Sequence, residues 1–504
     1  MLRSMRMQSP RFTASCQFRP LCFFALLVGV LHAGGVSAAS VPSPVLGVNI
    51  GGWLVLEPWI KPSMFEVPLQ AGQEQPYDEW TLGEYLGDRV DQYMKDHYNT
   101  WLLRSDLETA YEAGINSVRI PVGHWIVDRR PDEPYASPEV GWPFLTRALD
   151  WCKEIGLVVQ IDIHGLPGSQ NGLDHSGRRG EIRWTEPENL ARSLEVVRKL
   201  TQQLSDQGYL APSGPVNMLQ PVNEPWMSID LGLLLDWYNS SYHVIRAIAP
   251  AEHVAIAYSD SFRLPDPVFE NFMPEEEGYE NVYLDEHFYQ IFDLNGLSMS
   301  RDQHLVSTQS FFRDQQRNHL SKGRTKLLVG EFTLATTDCA KWLTGVNQGY
   351  RWDGTKLYEP NPPYGKCSGD DGNDPAQFSN EYRAFLRGYS AALFDTFENT
   401  LNVSDGDDSH PNLAAGWYFW TLKTEGAPQW DLLLGLREGW IPQPVSTRAS
   451  ISRPTPEPTP GGDNSTDGDV DGDVAAATRH ATVSSTASWA TLLAAVALTA
   501  IVGR

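Results

Sequence analysis

Between residues 45 and 444 one theme returns eight times: a short apolar run rich in β-branched residues, a polar turn, then a stretch of helical periodicity. The apolar runs fall at 45–54, 115–122, 157–164, 216–223, 253–259, 282–289, 326–332 and 417–422. Several are apolar at both odd and even positions, as expected of parallel strands with helices over one face and a packed interior behind the other. Eight strands alternating with helices predict an α/β fold, a closed (β/α)8 TIM barrel forming one domain over 45–444, with a doubly wound open sheet as the alternative.

The flanks lack this pattern and look like addresses. Residues 1–38 carry Arg3, Arg6, Arg11 and Arg19 without an acid, then an apolar run from Leu21, then the small residues Val36-Ser37-Ala38, the layout of a secretory signal peptide. Residues 445–477 turn to Ser, Thr, Pro, Gly and Asp and are expected to be a solvated linker. Residues 478–504 consist of a polar spacer and an apolar run from Trp489, behind the small triplet Ala475-Ala476-Ala477. That is the layout of a glycolipid-anchor (GPI) signal, and a run of about 15 residues is short for a spanning helix. The chain is therefore expected outside the cell, at its surface or wall, touching membrane only through the lipid.

Secretion sets the expectation for the cysteines. Cys16 and Cys22 fall in the signal, Cys339 and Cys367 bracket a Pro/Gly/Asp-rich stretch and are expected to pair, and Cys152 is expected to be a buried free thiol. Asn239, Asn402 and Asn464 open sequons for glycosylation. Thirty-nine basic against 63 acidic side chains leave a net charge of −24, the wrong sign for a nucleic-acid partner. The 17 Trp and 19 Tyr suit a ligand with flat apolar faces, such as a sugar.

In a (β/α)8 barrel the chemistry is carried at the C-terminal ends of the strands. Polar residues close five of the runs: Arg119; His164; Asn223 with Glu224; His287 with Tyr289; and Glu331. Trp420 closes the eighth. Glu224 and Glu331, at the fourth and seventh strands, stand on opposite sides of the ring and can face each other over a cleft, as two carboxyl groups must to break a glycosidic bond. Arg119 is expected to keep Glu331 ionised, and a less compensated setting to keep Glu224 protonated.

The strings Gly47-Val48-Asn49-Ile50-Gly51-Gly52-Trp53-Leu54-Val55-Leu56-Glu57-Pro58-Trp59, His164-Gly165-Leu166-Pro167-Gly168-Ser169-Gln170-Asn171-Gly172, Asn223-Glu224-Pro225, Gly330-Glu331 with Thr337-Asp338-Cys339, and Trp420-Thr421-Leu422-Lys423-Thr424-Glu425 resemble the fungal exo-β-1,3-glucanases of glycoside hydrolase family 5. The resemblance covers about 45–444. It implies a retaining glycosidase that releases glucose from β-1,3-glucan during wall remodelling, with Glu224 as acid/base and Glu331 as nucleophile. It further implies a substrate-binding set of Glu57, Arg119, His164, Asn223, His287, Tyr289, Phe292 and Trp420. Within that set Asn223 would bond the sugar 2-hydroxyl, His287 and Tyr289 would support the nucleophile, Trp420 would floor the sugar ring beside the scissile bond, and Glu57 would bind a terminal glucose hydroxyl. Two departures stand out: Leu173 where these enzymes usually place Phe, and Phe332-Thr333 where they usually place Trp-Ser.

No Gly-x-Ser-x-Gly elbow, His-Glu-x-x-His helix or paired Cys-x-x-Cys occurs, so no serine hydrolase, metal or cofactor is expected. A monomer is expected. The alternatives within the class are an endo- or β-1,6-glucanase or a transglycosylase, and outside it a wall-glucan-binding protein that kept the barrel as a scaffold.

Overall fold

A computed structural model describes residues 40–264, 266–315, 325–398 and 414–447. The segments expected to be a signal peptide and an anchor signal, the expected linker beyond residue 447, Asn402 and Asn464 lie outside the described residues. Eight parallel strands close into a barrel in sequence order: β1 (Val45–Asn49), β2 (Ser117–Gly123), β3 (Val158–Gly165), β4 (Val216–Gln220), β5 (Ala255–Ser259), β6 (Val282–Phe288), β7 (Lys326–Phe332) and β8 (Ala414–Phe419). β8 returns to β1 with Val45 opposite Gly416, so the sheet has no edge and the open doubly wound alternative falls away.

Helices cover the outside because each carries one apolar stripe. Helix Pro138–Ile155 begins with Pro at its first position and ends on Gly156 in the left-handed region, and it buries Phe144, Leu145, Ala148, Leu149 and Cys152. Helix Asn380–Glu398 lies against β8, where Phe394 stacks on Trp417 at 4.3 Å. Burial pushes the Cys152 thiol up to about 12, in line with a small hydrophobe. Cys339 and Cys367 are joined, with Cα atoms 5.3 Å apart. Asn239 is half-buried on helix Leu231–Arg246, its side-chain oxygen accepting from the Tyr279 hydroxyl at 2.9 Å.

The interior is layered rather than uniformly apolar. A cluster of Val45, Met218, Ala255, Ala257, Tyr283, Leu328, Ala415 and Tyr418 fills one level. Two residues further along several strands the filling turns polar: Asn49, Arg119, Gln160, Asp162, Gln220 and Asp285 are fully buried. Their hydrogen bonds join strands that are not neighbours, as Arg119 on β2 does with Gln220 on β4, which is possible only across the lumen. Expecting strands apolar on both faces is therefore correct for the lower part of the barrel and wrong for the upper part. The period of two puts Gln160, Asp162 and His164 in one inward row.

Three strand ends also differ from the reading of the sequence. β1 stops at Asn49 and β4 at Gln220, several residues before their buried runs end, and β8 lies three residues earlier than expected. Apolar character persists past the ladder because the residues beyond it are buried under the site. The start of β8, Ala414-Ala415-Gly416, has too little side chain to read as a strand.

Candidate active site

Glu224 is carried on the segment after β4. The backbone N–H of Asn223 donates to Ile163 at 3.0 Å, Gln170 Nε2 donates to the Asn223 carbonyl at 2.8 Å, and Ser261 Oγ donates to the Pro225 carbonyl at 2.6 Å. These bonds hold Glu224 at φ 45, a left-handed conformation that a non-glycine residue keeps only when its surroundings over-determine it. Glu331 lies within β7, where the pairing register shifts on both sides, between Glu286 and His287 on β6 and between Val329 and Phe332 towards β8. Such irregularities re-aim side chains. Gly330 is needed next to it, since a Cβ there would lie 2.1 Å from Asp285 Oδ1.

Glu331 is held by fixed donors. Arg119 Nη1 donates to its Oε1 at 2.8 Å, and the Tyr289 hydroxyl to its Oε2 at 2.8 Å. Arg119 has no access to a substrate. It is fully buried, and its other donors go to Gln220 (3.0 Å), Asn49 (2.9 Å) and Asn223 Oδ1 (2.7 Å), with Asp162 at 3.1 Å. The expectation that Arg119 contacts substrate is thus corrected: it acts through Glu331 and Asn223. Burial works against the guanidinium charge, but Asp162, Glu331 and Asp285 outweigh it and raise its pKa further. Fixing Asn223 Oδ1 leaves Asn223 Nδ2 buried without a partner.

Glu224 is held by imidazoles. His287 Nδ1 lies 2.6 Å from its Oε1, and His175 Nε2 lies 3.2 Å from its Oε2. His287 Nδ1 is also 3.4 Å from Glu331, so its main partner is the other carboxylate from the one expected. The opposite nitrogen of His287 faces Asp285 Oδ2 at 3.2 Å. The expectation of a weakly compensated Glu224 is overturned as well. Burial alone would raise its carboxyl, but His287 and His175 outweigh burial and hold it low, at about 2. Burial likewise opposes the His287 charge, and Glu331, Asp285 and Glu224 overcome it, raising that imidazole well above its ordinary range. Both shifts describe one proton shared between His287 and Glu224, resting on the imidazole in the free protein.

One ligand-type atom each from Glu224, His287 and Glu331 lie within 4.8 Å of one another, the single set among the described residues whose spacing would admit a metal ion. Each of these groups already has an organic partner: Arg119 and Tyr289 on Glu331, His287 and His175 on Glu224.

Around the two carboxyl groups runs a cleft lined by Glu57, Trp59, His164, Leu173, Asp174, His175, Tyr289, Phe292, Trp420 and Trp430, among others. Trp420 stacks on the His164 ring at 5.5 Å and 8°, and His164 Nδ1 is fixed by Asp162 Oδ2 at 2.7 Å. Glu57 reaches the cleft from the loop after β1, where its Oε2 accepts from Trp59 Nε1 at 2.8 Å. Burial, then the charges of Asp174 and Glu331, raises its carboxyl well above the usual range, which favours a protonated, donating group. Phe292 packs edge-on against Tyr289 at 5.3 Å. The sequence reading missed His175, Asp285 and Trp430. Asp285 could have been found by the period of two that joins it to His287, whereas nothing local marks His175 or Trp430.

The profile described as Cellulase (glycosyl hydrolase family 5) matches residues 90–352. The chain belongs to glycosyl hydrolase family 5. It is 36% identical over 407 residues to the probable glucan 1,3-beta-glucosidase A of Aspergillus fumigatus, covering 80% of this chain and 88% of the relative. It is 34% identical over 416 residues to the glucan 1,3-beta-glucosidase D of Emericella nidulans, covering 79% of this chain and 46% of that longer protein. Among solved structures, the rutinosidase from Aspergillus niger superposes with a TM-score of 0.58 at 18% identity, over 80% of this chain and 99% of the other, a likeness of fold alone. The family makes the chain a glycosidase, and no binding-only scaffold needs to be invoked.

Proposed function

We propose that this family 5 glycosidase hydrolyses β-1,3-glucan with retention of configuration, releasing glucose from the non-reducing end, with Glu331 as nucleophile and Glu224 as acid/base. The observation that carries the reading is the spacing: one oxygen of each carboxyl group lies within 4.8 Å of the other. Retaining enzymes need carboxyl groups about 5–5.5 Å apart, whereas inverting ones need about 6.5–9.5 Å to admit a water. The choice of β-1,3-glucan rests on the names of the fungal relatives.

A glucosyl ring between Trp420 and the carboxylates presents its anomeric carbon to Glu331, whose negative charge Arg119 and Tyr289 hold in place. Glu331 attacks that carbon, the glycosidic bond breaks, and its electron pair leaves on the departing oxygen. That oxygen takes a proton from Glu224, which His287 resupplies across 2.6 Å. Water then attacks the anomeric carbon, passing one proton to the Glu224–His287 pair, and the bond to Glu331 breaks with its electron pair returning to that carboxylate, which releases the sugar with its original configuration. Asn223 Nδ2, buried and without a partner, is the donor this reading assigns to the 2-hydroxyl, a bond that strengthens as charge develops.

Proton NMR of laminarin digestion tests the roles. A β-anomer formed first supports them, and an α-anomer formed first would mean inversion and overturn both assignments. Glucose as the sole early product supports exo action, and early oligosaccharides oppose it. We also infer secretion and a lipid anchor from the two terminal patterns. Retention in membranes after a phosphatidylinositol-specific phospholipase would count against the anchor.

A further inference from the structure

The polar layer of the barrel lumen has a direction as well as a set of contacts. Arg119 on β2 carries only donors, so the Gln220 atom that its Nε meets at 3.0 Å must be the amide oxygen. Gln160 on β3 gives its Nε2 hydrogen to the same oxygen at 2.8 Å. The amide nitrogen of Gln220 is thereby turned across the lumen to β6, where it donates to Asp285 Oδ2 at 2.7 Å. A reversed amide would set N–H against the guanidinium and oxygen against the carboxylate. Arg119, Gln220 and Asp285 are fully buried, so neither clash could be relieved by solvent.

His287 Nε2 lies 3.2 Å from that same Asp285 oxygen, two residues along the inward row of β6. Since Oδ2 acts as an acceptor, the hydrogen in this contact belongs to Nε2. The carboxylate is seated against the bare Cα of Gly330, where a Cβ would lie 2.1 Å from Oδ1, so the residue before Glu331 makes room for it. Which nitrogen of a neutral imidazole carries the hydrogen is set by the bond that the other makes. Here Nε2 keeps its hydrogen, and the nitrogen left to exchange is Nδ1, 2.6 Å from Glu224 Oε1. The opposite tautomer would already hold a hydrogen on Nδ1 and could not take one back from Glu224.

We propose that Asp285 and Gln220 are positioning residues for the hydrolysis, a transluminal lock that holds His287 in the Nε2–H tautomer and confines its travelling proton to Nδ1. This rests on the functional reading above. When Glu224 protonates the departing oxygen, the Nδ1–H bond of His287 breaks and that proton passes to Glu224 Oε1, leaving a neutral imidazole. When water attacks, the proton it loses to Glu224 sends one back to Nδ1. The Nε2 hydrogen stays on Asp285 Oδ2 through both halves, so neither Asp285 nor Gln220 gains or loses a proton.

Proton–nitrogen NMR of protein labelled with 15N-histidine tests the lock without any substrate, His287 being assigned by its loss in His287→Asn. An exchange-protected Nε2–H signal should persist across the whole pH range in which the protein stays folded, and Asp285→Ala should abolish it. Asp285→Asn should keep it, because Gln220 Nε2–H obliges the new amide to present its oxygen. Kinetics on laminari-oligosaccharides supply the second arm. Asp285→Ala should lower kcat about tenfold with KM little changed, part of the roughly 10²–10⁴-fold that a placed proton donor is worth. In a His287→Asn background the same change should cost less than about twofold, since Asp285 then has nothing to position. If Asp285→Ala does not fold, Asp285→Asn replaces it in the cycle, and any kcat loss it causes should likewise vanish beside His287→Asn. An unaltered protein whose Nε2–H signal is missing or fades with pH, or equal losses in the two backgrounds, overturns the lock. Failure of the unaltered enzyme to cleave any β-glucoside would instead sink the functional reading.

Discussion

The two banks of the cleft solve the burial of a carboxylate in different ways. On the β7 side Glu331 receives a guanidinium and a phenol, donors that do not give up their protons at ordinary pH. On the β4 side Glu224 receives two imidazoles, whose protons exchange. A group meant to attack needs a fixed countercharge, and a group meant to give and take a proton needs a partner that can hold one. Away from the cleft a third arrangement occurs. Asp78 and Glu79, buried at the start of helix Glu79–Leu86, are met by backbone N–H groups of Thr81, Arg179 and Leu56 and by the Thr81 hydroxyl, with no cation paired to either among the described residues. Burial therefore dominates, raising Asp78 to about 6 and Glu79 to about 8.

Replacing each carboxylate should give the largest contrast. Glu331→Ala removes the attacking atom and should lower kcat by at least about 10⁴-fold on laminarin and activated aryl glucosides alike. Glu224→Ala should lose as much on laminarin but far less in the first step with a dinitrophenyl glucoside, whose leaving group hardly needs a proton. Pre-steady-state release of dinitrophenol reads the difference, and equal losses for the two variants would erase the distinction between the banks.

A smaller effect isolates the exchangeable proton. In the unaltered enzyme the alkaline limb of kcat/KM reports loss of the proton that the Glu331, Asp285 and Glu224 charges keep on His287 despite its burial. In His287→Asn that proton must rest on Glu224 itself, so the limb should move to lower pH by about one unit or more, with kcat down roughly 10²-fold. A limb that does not move would remove His287 from proton storage.

The smallest effect concerns stability. Asp78 and Glu79 have folded-state values above their unfolded ones, so their contribution is complete below about pH 4 and is lost as pH rises through about 6 and 8. Glu224 and Glu133 shift the other way, and their contribution fades only as pH falls below the usual carboxylate range. Thermal unfolding should therefore show a Tm lower by a few degrees at pH 8 than at pH 5. Glu79→Gln should flatten this slope, and an unchanged slope in that variant would show that the stability loss originates elsewhere.

Only the Glu331 side of this contrast was visible in the chain itself. Glu224, Glu331, Arg119 and Tyr289 all end or follow β-rich runs, and a barrel brings such ends to one rim whatever the loops do. The Arg119–Glu331 contact, expected from that placement and the opposite charges, is present. The imidazole on Glu224 did not follow, because His287 lies close to both carboxyl groups, and bond lengths of 2.6 against 3.4 Å decide which it serves. A shift of register between Glu286 and His287 sets that aim, and a register shift leaves no mark in a single sequence. His175 is harder still, since its position depends on how the loop after β3 folds over the cleft.

The sequence by itself determined eight alternating β/α units, the opposing carboxyl groups and the Cys339–Cys367 pair, because periodicity and residue order act along the chain. The tertiary structure alone decided that β8 closes on β1, which group neutralises which carboxylate, and that Arg119 is sealed from substrate. Those outcomes depend on distances of a few tenths of an ångström between residues far apart in sequence, and electrostatic and hydrogen-bond energies in a buried site change steeply over that range.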